Sequence, residues 1–391
     1  MKLCIMNIAL LSPARATTLS LLLVGLSPRL ARAEDSIRYK FQDYREADGR
    51  IAVKVNGTTV EKDLGTDTHL KLEGIIDSIA GATPNGQPAE KGSDQVGLSE
   101  MHERRKAWNG ALSRQIKRVN LSFGFGNSRE SDYVSNGWSL NTVTDFNQKN
   151  TNLLVGVAGT DDDIRVFYQT DRVKKRSNDV IVGVTQLLDA RTSLTFNFTW
   201  GRARGYLADP YKLVQKNIEI FPGISLPLTF SENRPAEREK WIALVSLNRA
   251  YAAVHGAVDL SYRFYHDSYK ADAHTIDAAW FQNVGEHLIL RPGLRFHDQS
   301  AASFYYYDLD KTAIVPFSGP ARANGPFYSS DYRLSALRTV TYGLKVIWTP
   351  SESWQLDAAF ERYDMRGRDG VTPQSAYCQA NILTLGARFG W

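Results

Sequence analysis

Apolar and polar residues alternate with a period of two, segment after segment, along nearly the whole chain. "SLTFNFTWG" puts Leu194, Phe196, Phe198 and Trp200 on one face and Thr195, Asn197 and Thr199 on the other. The closing stretch "LTLGARFGW" does the same with Leu383, Leu385, Ala387, Phe389 and Trp391. A period of two is the signature of a β-strand with unlike faces, not of a helix. Sixteen such segments can be placed, near 36–45, 50–60, 67–77, 102–116, 118–129, 132–147, 149–160, 177–187, 191–203, 234–250, 254–269, 271–284, 285–300, 330–349, 351–364 and 378–391.

The connections between these segments sort by length. Turns after the even-numbered strands are short or intermediate, such as "DLGTD", "QIKR", "NQKN", "LDAR" and "NVGE". Long connections follow strands 3, 7, 9, 13 and 15, at 78–101, 161–176, 204–233, 301–329 and 365–377. All long loops therefore leave one end of the sheet. A soluble sandwich has no reason to sort its loops so strictly, whereas a barrel in an outer membrane has short periplasmic turns and longer extracellular loops. The expected fold is all-β: a single antiparallel transmembrane barrel of sixteen strands, with a count between 12 and 18 fitting the same pattern.

The N-terminus reads as an export signal. Lys2 and Arg15 precede an apolar run from Leu19 to Leu26, and Ala31-Arg32-Ala33 follows as an A-x-A cleavage signature. Residues 1–33 are expected to be removed, leaving 34–391 as the barrel domain. The run is too short for a membrane-spanning helix. Loss of Lys2, Arg15, Arg29 and Arg32 takes 47 basic residues to 43 against 42 acids. The apparent basicity is thus an export feature, and no nucleic-acid partner is expected. Cys4 goes with the signal, so Cys378 is left alone and no intrachain disulfide can form. Closure of the sheet on itself must supply the stability.

In a membrane the apolar face turns to lipid and the polar face to the lumen. Asp259, Arg263, Asp277, Arg291, Arg295, His297, Lys345, Asp357, Glu361 and Arg388 are then expected to line the interior as a mixed-charge surface. Trp348, Trp354 and Trp391 fall near the short-turn ends of their strands, and Trp200 and Trp241 flank the long loop after strand 9. Tryptophan prefers the membrane–water interface, so these five are expected interface aromatics.

Several stretches carry a family resemblance. They are "DSIAGATPNGQP" (77–88), "SRESDYVSNGWSLNTVTDFNQKNTNLLVGVAG" (128–159), "GYLADPYKLV" (205–214) and "DYRLSALRTVTYGLKV", together with the aromatic end. With these the chain resembles the bacterial domain-of-unknown-function 3570 family over most of its mature length. The resemblance implies an outer-membrane barrel and brings no activity with it. Its matched residues Asp77, Pro84, Asn85, Gly86, Asp209, Pro210 and Tyr211 lie mostly on the long-loop side.

Chemistry-bearing motifs are sparse. GxSxG, HExxH, CxxC and Walker patterns are absent. His266, Asp267 and His274 cluster around one outer turn and could activate water or bind a metal. Their spacing matches no tight motif, so neither cofactor nor metal is expected. "TDDDIR" lacks the spaced acids of a calcium loop. The expected function is a porin-like channel, or a barrel that houses a transport partner, with loops 204–233 and 301–329 as lids or plugs. An enzymatic barrel with a rim site and a surface adhesin or scaffold using the long loops are the alternatives. Expected partners are outer-membrane lipid, a small solute or periplasmic protein, and the insertion machinery of a Gram-negative outer membrane. The last of these rests on the aromatic-ended final strand, which resembles the signal that machinery reads.

Overall fold

Lipid on one side and polar groups on the other give each strand of this wall its alternation, and closure removes the free edges that a sheet in lipid could not tolerate. The computed structural model describes residues 35–391; the expected export segment 1–33 and its cleavage after Ala33 lie outside the described residues. Among the described residues eighteen strands are formed. The first nine are β1 Ser36–Glu46, β2 Ala52–Asp63, β3 Thr68–Pro84, β4 Leu98–Ile116, β5 Val119–Arg129, β6 Tyr133–Phe146, β7 Thr151–Ile164, β8 Val173–Asp189 and β9 Thr192–Gly205. The rest are β10 Leu213–Phe221, β11 Ile224–Ser231, β12 Glu237–Tyr251, β13 Gly256–Asp267, β14 Asp272–Val284, β15 Leu288–Gln299, β16 Leu337–Trp348, β17 Trp354–Gly367 and β18 Gln379–Gly390.

Sixteen of them close an antiparallel barrel, in which β1 pairs with both β2 and β18. At the seam Ile37 stands opposite Phe389, Tyr39 opposite Ala387 and Phe41 opposite Leu385. The sixteen barrel strands are the sixteen segments expected from alternation. β10 and β11 are additional: they form a separate two-stranded sheet inside the connection from β9 to β12, where a plain loop was expected.

Several strands also run further than expected towards the long-loop end. β3 reaches Pro84 and β4 starts at Leu98, while β7 reaches Ile164 and β8 starts at Val173. These extensions rise above the apolar band, where both faces of the wall meet polar surroundings and alternation fades.

Large apolar side chains lie exposed on the outer face, among them Phe123, Phe196, Leu260, Ile276, Leu344, Phe360 and Leu385. Buried apolar residues gather instead at the long-loop end. One group, Tyr44, Ile51, Val53, Ile79, Ala380 and Ile382, fills the upper barrel. Others sit where loops meet the wall, including Tyr332, Leu337, Met365 and Tyr377, and Val214, Leu309 and Tyr328. The packed core of this protein is thus the cap of the barrel.

Candidate functional site: a latched lid over a polar barrel

Four connections build the cap: 85–97 after β3, 206–236 after β9, 300–336 after β15 and 368–378 after β17. The loop after β3 is pinned by its Pro-Asn-Gly turn. Leu213 donates its backbone N–H to Asn85 O at 2.7 Å. Ser330 Oγ bonds to Gly86 O at 2.9 Å and to Leu213 O at 2.6 Å, and the buried Lys212 Nζ donates to Pro84 O. Gly86 has φ +94°, and a Cβ there would lie 2.2 Å from Leu213 O, so the junction needs glycine. Three distant chain segments meet at this turn.

A second tie joins loops 206–236 and 300–336. Asn233 and Tyr328 exchange backbone hydrogen bonds at 3.0 and 2.9 Å. Beside them Arg234 pairs with Glu232 through Nε at 2.7 Å and with Asp331 through Nη2 at 2.7 Å. Arg333 bonds to Asp331 through Nε at 2.7 Å and to Asp209 through Nη2 at 2.6 Å. Ser329 Oγ donates to Glu232 at 2.5 Å. Glu232, Arg234 and Asp331 are almost wholly buried. Three carboxylates therefore face two guanidinium groups away from water. Burial, with Asp331 and Asp209 adding to it against the pull of Arg234, pushes the Glu232 carboxyl up to about 7. Burial works against charge on Arg234, but Glu232 and Asp331 overcome it and hold the guanidinium above its ordinary range.

The interior below the cap is polar. All ten expected lumen residues occupy inward positions of their strands, alternating with outward-facing neighbours. Lys345 Nζ lies 2.9 Å from Asp357, and Arg295 lies 3.3 Å from Asp277; these pairs stand directly or diagonally across neighbouring strands. His297 Nδ1 meets Thr275 Oγ1 at 2.9 Å. Arg291 stacks on Phe281 at 5.1 Å. Asp259, Arg263 and Arg388 also have partners in the wall, and Glu361 faces the same interior.

The expected interface aromatics fall in two tiers. Trp200 and Trp241 are register partners near the long-loop end. Trp348, Trp354 and Trp391 are exposed at the other end, where Trp354 packs on Phe389 at 5.0 Å and Phe389 on Trp391 at 6.0 Å. Sequence reading missed Trp108 and Trp138 in the upper tier and Trp280 in the lower; all three stand on outward positions of strands that it had recognised.

The expected rim trio does not assemble. His266 faces outward, stacks on Trp241 at 5.5 Å and bonds Asp272 at 2.7 Å. His274 also faces outward and meets Tyr262 Oη at 2.7 Å. Asp267 is fully buried on the inner face, held by Arg238 and by Tyr265 Oη at 2.7 Å. Consecutive residues of one strand point to opposite faces, so His266 and Asp267 cannot share a site. A different group, Glu103, Glu130 and Asp132, brings three carboxylates within 4.8 Å of one another, as a cation would require. Ser131 Oγ and Tyr211 Oη already donate to this group.

Comparison with known proteins supplies the context. The family described as "Protein of unknown function (DUF3570)" matches residues 3–173 and 167–381. No curated protein matches the chain. Among solved structures, the siderophore receptor PirA from Pseudomonas aeruginosa is 11% identical with a TM-score of 0.45, over 91% of this chain and 62% of that one. The chain thus spans less than two thirds of the length of the siderophore receptors that it matches. The CymD monoaromatic hydrocarbon channel is 7% identical with a TM-score of 0.45, over 97% of this chain and 93% of that one. A loop L8 deletion mutant of OmpT from Vibrio cholerae is 9% identical with a TM-score of 0.44, over 92% and 99%.

Proposed function

The chain belongs to the DUF3570 family of proteins of unknown function, and we propose that it is an outer-membrane passage for a small polar solute, held shut on the outside by its latched lid. The observation that carries this reading is the buried network of Asp209, Glu232, Arg234, Asp331 and Arg333, which fastens two long loops to each other above a polar, mixed-charge wall. A barrel of this strand number is wide enough for an aqueous channel. Paired charges around its wall offer a permeating solute polar groups in place of its hydration shell. Burying an odd number of ionisable groups in a loop contact is a poor way to gain stability, and a good way to make a contact that can be released. In this reading the protein is not an enzyme.

Planar-bilayer conductance of purified protein tests it. The intact protein is expected to conduct little, and deletion of residues 213–231 combined with Arg234→Ala to raise conductance sharply. Absence of conductance in the unlatched protein overturns the passage. Export from a Gram-negative cell belongs to the same proposal, and the mass of the mature chain tests cleavage before Glu34.

A second reading has its own observation. The β10–β11 hairpin leaves Ile220, Phe221, Ile224, Leu226 and Leu228 exposed, and an apolar patch of this kind suits surface binding. Loss of cell-surface attachment on deleting the hairpin, with conductance unaltered, would favour an adhesin or scaffold.

A further inference from the structure

Basic residues on the outer wall above the upper aromatic tier are mostly matched by acids. Arg45 pairs with Asp43 at 2.7 Å, Arg176 with Asp161 at 2.6 Å, Arg204 with Glu237 at 3.2 Å and Arg202 with Glu239 at 3.4 Å. Even Arg338 and Arg366, which stand directly opposite each other, are each neutralised, by Asp298 at 3.0 Å and Asp364 at 3.2 Å.

The β4–β5 arc breaks this rule. Lys106 stands directly opposite Arg129 in the register, and like charges so placed repel. Arg104 lies two residues above Lys106 on the same outward face, opposite Ser78. All three are exposed, and none of their side chains is held by a carboxylate among the described residues. Their sequence neighbours Glu103 and Glu130 gather with Asp132 instead, on the other side of the wall. Glu100 is the next outward acid on β4, a further four residues away from the membrane.

What lies beneath the arc indicates its partner. Trp108 is two residues below Lys106 and packs on Phe125 at 5.6 Å, both on the outer face. Below them come Leu112, Phe123 and Leu121, all exposed. At about 3.3 Å per residue along strands tilted by about 40°, Lys106 and Arg129 stand about 5 Å and Arg104 about 10 Å above Trp108, at the height of the headgroup layer and its outer edge. A ligand that satisfies both features has a phosphate joined to acyl chains. We propose that Arg104, Lys106 and Arg129 dock the phosphate of an outer-leaflet lipid, with its acyl chains lying along Trp108, Phe125 and the apolar wall below. This site stands apart from the lumen and does not depend on the passage reading.

The test is retention of lipid by the full-length mature protein in detergent, read by native mass spectrometry. Lipopolysaccharide carrying its lipid phosphates is the probe, against the same lipid after enzymatic dephosphorylation and against inorganic phosphate. Phosphorylated lipid is expected to be retained and the dephosphorylated form lost. The triple variant Arg104→Gln/Lys106→Gln/Arg129→Gln is expected to bind about tenfold more weakly or worse. The charge-keeping pair Lys106→Arg/Arg129→Lys should bind as the parent does, and so should Lys174→Gln/Arg176→Gln on the matched arc. Should the triple variant fail to fold, by loss of heat-modifiable gel migration, retention by the parent must still weaken as salt is raised. Equal retention of both lipid forms, or equal binding by the folded triple variant, overturns the proposal. Displacement of the lipid by inorganic phosphate at equal concentration overturns it too, because the site would then read a free anion.

Discussion

Arg234 Nη2 lies 2.7 Å from Asp331 Oδ2 across 97 residues of sequence, and both side chains are buried. Removing one partner of such a pair leaves an uncompensated charge away from water, which costs about 3–5 kcal/mol. Arg234→Ala strands two carboxylates at once, Glu232 and Asp331. The expected result is release of loops 206–236 and 300–336 while the barrel stays closed. Hydrogen exchange checks this: protection is lost across both loops and kept in β13 to β18, with heat-modifiable gel migration unchanged.

The same network is expected to make the proposed lid sensitive to pH. In the closed lid the Glu232 carboxyl is pushed up to about 7 by burial, and in an open, hydrated loop it returns to an ordinary value near 4.5. Below both values the acid is protonated in either state and the closed lid keeps its full stability. Between them the open state has given up its proton and the closed state has not, so rising pH favours opening. Above about 7 the effect is complete, at about 3 kcal/mol. The groups that face Glu232 are Arg234, Asp331 and Asp209, with the Ser329 hydroxyl donating and Tyr206 and Tyr269 close by. Exchange of the loop amides measured between pH 5 and pH 8 should quicken with pH, after correction for its intrinsic rate. Glu232→Gln, which holds the neutral form, should flatten the profile.

The turn at Gly86 gives a third test. Alanine there must adopt φ +94° and place its Cβ 2.2 Å from Leu213 O. Strain of this kind costs about 1–3 kcal/mol, and relieving it pulls apart the junction of loop 85–97 with Leu213 and Ser330. Gly86→Ala is expected to lower protection at the Leu213 amide, whose partner is Asn85 O. Gly92→Ala, in the same loop at φ +87° but with open space around it, carries only its local backbone strain and should leave that amide as it was.

The wall of this protein was legible because lipid imposes a rule on every residue it touches. Strand number and closure follow from alternation and loop sorting. Legibility stops where lipid stops. β3 and β4 continue to Pro84 and from Leu98 without an apolar outer face to mark them. The β10–β11 hairpin did carry a signal: Ile218 and Ile220 alternate on one side of Phe221-Pro222-Gly223, and Ile224, Leu226 and Leu228 on the other. Its length also suits a plain loop, which masks that signal. The Arg234–Asp331 contact had no local signature at all, since nothing in either segment points to a partner 97 residues away. Asp209, Asp331 and Arg333 of that network lie inside the family-like stretches, and Glu232 and Arg234 lie outside them. His266 and Asp267 failed as a site for a reason already visible in the sequence, their adjacency within a strand.

For the proposed passage, the lumen pair Lys345–Asp357 gives a test of selectivity. Its atoms are 2.9 Å apart and part exposed, so its worth is about 1 kcal/mol or less. Removing one partner therefore changes the charge of the lumen by one unit at little cost to the fold. Lys345→Ala removes one cation from beside Asp357 and should tilt the proposed channel towards cations; Asp357→Asn removes the acid from beside Lys345 and should tilt it towards anions. Both are measured as reversal potentials under a potassium chloride gradient in the Arg234→Ala background, where the lid is released. Shifts of opposite sign are expected. Shifts of the same sign, or none in a conducting protein, would mean that ions do not pass this part of the wall.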